Sequence, residues 1–131
     1  MEEDVIVEIE RLHAFLSGWF RGEYAHEAFE QGFANSLHEE FERVQPSGIS
    51  LTRSTLLDAV GEAHGASPDF RITIAGARLI AAYPGVLLAT YEEHQTGARN
   101  SAARNHRRST VLFEAGKRLI WRYVHETPVS G

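Results

Sequence analysis

Tyr91, Glu93, Arg107, Ser109, Trp121, Tyr123 and His125 occupy alternate positions of three β-type runs in the last third of the chain. Alternate residues of a strand share a face, so this spacing can gather a carboxylate, a guanidinium and an imidazole within an aromatic wall. Such a set can move a proton beside a carbonyl or enol. Burial would raise the glutamate pKa, a nearby arginine would lower it, and Tyr123 or His125 can donate to a developing oxyanion. Glu93 and His125 are therefore the candidate catalytic pair. Tyr91, Arg107, Ser109, Trp121 and Tyr123 are candidate ligand contacts, with Trp19 of the first helix either closing the deep end of the pocket or packing in the core.

The assignment depends on register. If odd positions of the two last strands face each other, Arg107, Ser109, Val111 and Phe113 join Trp121, Tyr123 and His125. A slip of one residue exchanges them for Arg108, Thr110 and Leu112. On the preceding strand the choice lies between Tyr91 with Glu93 and Glu92 with His94; the first pair is the reading adopted. Each residue also has a plainer role: aromatic packing for Trp121 and Tyr123, a backbone or carboxylate partner for His125, and a supporting charge pair for Glu93 with Arg107.

The seven histidines raise the question of a metal. Neither a His-x-His pair nor a His-Glu-x-x-His helix occurs, and a site from His94, His106 and His125 requires a particular three-strand register. No metal and no cofactor is expected. His13 and His64 lie on helices near apolar neighbours, and His26 and His38 lie in polar surroundings. Arg99, Arg104, Arg107 and Arg108 make a basic stretch that either faces water or rims an anion site.

The elements that must position these groups follow from periodicity. Val5, Ile9, Leu12, Phe15, Leu16, Trp19 and Phe20 recur at three- and four-residue steps, predicting a helix to about residue 21 with Gly22 as its stop. Its first turn is acidic, as the helix dipole favours. A short helix is expected over 25–31, a strand over 41–45, and a third helix capped by Thr52 or Ser54 and closed by Gly65. From Asp69 the period becomes two: strands over 71–83 with a bend at Gly76, 86–95, 106–114 and 119–127, with turns at Pro84-Gly85 and Gly116. Helices first and sheet last predict one α+β domain over 1–131, with helices on one face of an antiparallel sheet.

Composition narrows the function classes. The chain has 131 residues, 43% hydrophobic and 24% charged, which is ordinary for one soluble domain. There is no cysteine, so disulfides, thiolate metal sites and cysteine nucleophiles are excluded. A formal net charge of -5 argues against a nucleic-acid partner. Apolar runs are too short for a membrane span, and the acidic start is unlike a signal peptide, so a cytoplasmic location is expected.

The ending resembles a known family. Arg107, Ser109, Thr110, Gly116, Trp121, His125, Thr127 and Pro128, with Tyr91-Glu92 before them, are similar to the DUF4440 (SnoaL-like) branch of the NTF2-like superfamily. The element order also resembles nuclear transport factor 2, ketosteroid isomerase and the polyketide cyclases. Two departures touch the hairpin: His125-Glu126-Thr127 is one residue shorter than the common pattern, and Arg118-Leu119-Ile120 is extra before Trp121. The resemblance implies a cone-shaped fold with a central pocket, commonly a homodimer through the sheet, and a small organic ligand, anionic if the arginines rim its site. It also implies isomerase-, cyclase- or dehydratase-like acid–base chemistry, the alternative being a protein-interaction module with a vestigial pocket.

Overall fold

In the computed structural model, which describes residues 1–98 and 105–129, the apolar stripe of the N-terminal segment forms α1 (Glu2–Arg21). Glu2, Glu3 and Asp4 occupy its first turn. Gly22 ends it in the left-handed region at φ 81°, returning its N–H to the Trp19 carbonyl; this conformation penalises any side chain. The stripe is buried at Val5, Ile9, Leu12, His13, Phe15 and Trp19, so one titratable residue sits among the apolar ones.

The expected second helix is a 3₁₀ turn (His26–Ala28) running into a single turn, α2 (Phe29–Gly32). A further 3₁₀ turn (Ala34–Ser36) leads into β1 (Leu37–Val44). After a tight turn come β2 (Ser50–Thr52) and α3 (Arg53–Glu62), the helix capped by the Thr52 hydroxyl accepting from the Thr55 N–H. The meander follows as β3 (Arg71–Tyr83), β4 (Val86–Thr96), β5 (Asn105–Ala115) and β6 (Leu119–Pro128).

The six strands form one sheet in the order β2-β1-β6-β5-β4-β3. The sheet is mixed, correcting the antiparallel expectation: β1 runs parallel to β6. The chain crosses from β1 through β2, α3 and the whole meander before its last strand returns beside the first, a long-range pairing that no local pattern encodes. β3 carries irregularities on both sides of Arg78–Leu79, with Gly76 at φ 61°, and such bulges bend a strand. The α-helices cover one face of the curved sheet, and the core lies between them: Val5, Ile9, Phe15 and Trp19 of α1 and Leu56 and Val60 of α3 meet Ala89, Val111, Phe113 and Trp121.

Trp19 belongs to this core rather than to the pocket wall. Its ring packs on Phe15, Phe29 and His64, and its Nε1 donates to the Val60 carbonyl at 2.7 Å. No described helix is long and apolar enough to cross a membrane.

Candidate functional site

A cavity of about 100 Å³ opens between α1 and the concave face of the sheet. Leu12, Leu16 and Phe20 of α1, with Phe41, Leu56 and Val124, make its apolar wall, and His13, Tyr91, Glu93, Arg43 and Glu126 supply its polar part. Arg107 and Ser109 are buried immediately behind that lining.

Strand parity explains which predicted groups arrive there. On β4 the odd positions Leu87, Ala89, Tyr91 and Glu93 are buried, and on β5 so are Arg107, Ser109, Val111 and Phe113. The two odd sets face each other directly, with Tyr91 opposite Ser109 and Glu93 opposite Arg107. β6 differs. Its ladder pairs Trp121 with Phe113 and Tyr123 with Leu112, leaving Arg122 as an extra residue. One inserted residue reverses the alternation beyond it: Trp121 points inward, but so do Val124 and Glu126. Tyr123 is half-exposed and His125 exposed on the outer face, contrary to the expected orientation of both. The basic stretch is divided likewise, with Arg107 inside and Arg108 exposed; Arg99 and Arg104 lie outside the described residues.

Three groups that the sequence reading passed over, His13, Arg43 and Glu126, complete the site. His13 Nε2 lies 3.2 Å from Glu93 Oε1, and its Nδ1 lies 2.7 Å from the Ile9 carbonyl oxygen. A carbonyl only accepts, so Nδ1 carries hydrogen. With Glu93 ionised, Nε2 must carry one too, and the pair is imidazolium with carboxylate. Glu126 Oε1 accepts from Arg43 Nε at 2.9 Å and Arg107 Nη1 at 3.1 Å.

The electrostatics follow from burial working against these partners. Burial would push Glu93 up, but the His13 charge and hydrogen bond, the Gln95 amide and the Arg107 charge outweigh it, holding the carboxyl at about 2. Burial likewise would lower His13; the Glu93 charge and hydrogen bond, the Ile9 carbonyl and the Glu126 charge reverse this and raise it. The Tyr91 phenol is pushed well above its ordinary value by burial and by the Glu93 and Glu126 charges, so it stays a donor. Ser109 Oγ lies close enough to temper that rise, yet it makes no well-formed hydrogen bond, and neither does the buried Arg107 Nε.

Two carboxylates against His13, Arg43 and Arg107 leave this cluster with a net positive charge. A carboxylate held at about 2 is a poor base at neutral pH. The floor is instead rich in donors, suited to a ligand that presents acceptors. Trp121 borders it, its ring edge-on to Phe113 and Tyr91 and its Nε1 donating to Glu8 at 2.8 Å.

His13 had a signal in the sequence: a titratable group on an otherwise apolar helical stripe. Glu126 had none, because its inward orientation depends on the bulge. The even residues of β4 and β5 form the outer face, where Glu92, His94 and His106 lie together, while His125 stands opposite Thr110.

No family model matches the chain, and no curated protein does. Solved structures match across nearly its whole length. An NTF-2 like protein of unknown function from Pseudomonas aeruginosa is 29% identical, with a TM-score of 0.87 over 95% of this chain and 98% of that one. An NTF2-like protein from Cytophaga hutchinsonii is 14% identical, with a TM-score of 0.76 over 98% and 99%. A putative dehydratase of the NTF2-like family from Streptomyces avermitilis is 10% identical, with a TM-score of 0.75 over 98% and 96%.

Proposed function

The chain belongs to the NTF2-like superfamily, and on that premise we propose that it binds a short organic molecule with an apolar body and an anionic head in the cavity beneath α1. The observation that carries this reading is the donor-rich, net positive cluster at the cavity floor, behind which the buried Arg107 Nε has no hydrogen-bond partner. Buried polar groups are nearly always satisfied, and a carboxylate in the cavity would balance the charge of this cluster. The volume of about 100 Å³ is below the roughly 300–1,000 Å³ usual for drug-sized ligands, which favours a short-chain acid over a polycyclic substrate. Tyr91 and Trp121 serve as ligand contacts, and Arg107 and Ser109 support them from behind the lining. If turnover occurs, the acid–base pair is Glu93 with His13 in place of His125, and it acts only when the ligand replaces one partner of their contact.

Thermal-shift and calorimetric titration with butyrate and its neutral isostere butyramide test this reading. Butyrate raises the melting temperature and butyramide does not, and Leu16→Trp, which fills the cavity from a half-exposed position, abolishes the effect. Equal shifts from both compounds, or from neither across the short straight-chain monocarboxylates, would refute it.

A second reading, an interaction module, draws on the outer face. Leu88, Leu112 and Tyr123 lie half-exposed side by side on β4, β5 and β6. Such a patch supports a homodimer through the sheet. Light scattering checks the mass, and Leu112→Lys converts a dimer to monomers.

A further inference from the structure

We infer that Glu92, His94 and His106 form a binding site for a divalent transition metal ion, with zinc as the type, on the outer face of the sheet. The site is separate from the cavity: even positions of β4 and β5 point away from it. His94 stands directly opposite His106 in the ladder, and Glu92 precedes His94 by two residues on the same face. Their donor atoms all lie within 4.8 Å of one another, and all three side chains are partly exposed. No other His, Asp or Glu group of this kind occurs among the described residues.

The chemistry of the donor set selects the ion. Two imidazoles and one carboxylate suit zinc, copper or nickel, whereas magnesium and calcium take oxygen ligands. A tetrahedral site with bonds of about 2.1 Å places its donors about 3.4 Å apart. His106 Nε2 and Glu92 Oε1 are already 2.8 Å apart. The His94 and His106 rings are stacked at 3.8 Å and within 20° of parallel, so turning both rings about their χ2 bonds aims one nitrogen of each at a common point beside Glu92. Three protein ligands leave a fourth position for water or an added ligand, and the ion ties β4 to β5. Arg108, opposite Glu92, brings a cation to the same face and keeps the affinity moderate.

The test is calorimetric titration of zinc into the untagged full-length chain stripped with chelator. The expected result is one zinc per chain, a raised melting temperature, and affinity reduced at least about tenfold in His94→Ala and in His106→Ala, since loss of even an outer partner of a metal ligand costs that much. Glu92→Gln weakens binding in the same way and His125→Ala leaves it unchanged. Circular dichroism confirms that each variant is folded, with His106→Gln replacing His106→Ala if the latter is not. Absence of zinc binding overturns the site, as does binding that survives the His94/His106 double substitution. Loss of binding on replacing His64, which packs on His26 in a second histidine pair, overturns it too.

Discussion

Replacing Glu93 by Gln removes the counter-charge of His13 while keeping the side chain's shape. Glu93 is 3% exposed, so solvent screens the pair little. Its drop from an ordinary 4.5 to about 2 corresponds to about 3 kcal/mol of folded-state stability at neutral pH. The sign follows from the direction of each shift. A carboxylate with a depressed folded pKa contributes fully above pH 4.5, and the contribution is lost as pH falls through about 2. The His13 pKa is raised from 6.5, so its contribution holds below that pH and is lost as pH rises through the folded value. The Glu93→Gln substitution abolishes both. Urea unfolding should therefore show the variant about 3 kcal/mol less stable at pH ~6, equivalent to about 10 °C in melting temperature for a chain of this size. The gap should narrow steadily as both proteins are taken from pH 4.5 toward about 2. Variant and wild type within about 0.5 kcal/mol at pH ~6, or a gap independent of pH across the acid range, would refute the buried imidazolium–carboxylate pair.

Glu126→Gln leaves Arg43 and Arg107 facing a neutral amide and should cost about 3–5 kcal/mol, the scale for breaking a buried pair on one side; chemical denaturation at neutral pH measures it. His125→Ala, by contrast, changes an exposed side chain on the outer face and should alter stability by no more than about 0.5 kcal/mol. It should also leave butyrate titration unchanged, whereas His13→Ala should weaken it. Deleting Arg122, the residue that makes the β6 bulge, should restore strict alternation while leaving Trp121, Val124 and Glu126 inward, and so lower the melting temperature by less than Glu126→Gln does.

The sequence alone determined most of the elements and their order, because each is a local property, but it missed β2, the start of β1 and the 3₁₀ character of the second helix. The α1 stripe, the Thr52 cap, the Gly22 stop, the Gly76 bend and the turn at Pro84-Gly85 are read from neighbours a few residues apart. On β4 and β5 the sequence offered a period-two alternation and a choice between two faces, and burial along both strands selects the one with Tyr91, Glu93, Arg107 and Ser109 inward. Tertiary structure alone decided the rest. The parallel pairing of β1 with β6 joins the first strand to the last, with every other strand between them in the chain. The bulge at Arg122 exchanged Tyr123 and His125 for Val124 and Glu126. Docking of α1 on the sheet brought His13 to Glu93 and turned a lone histidine on an apolar stripe into half of a buried ion pair. Charges in the interior take their meaning from partners across space, and a linear pattern records which residues share a face but not what that face will meet.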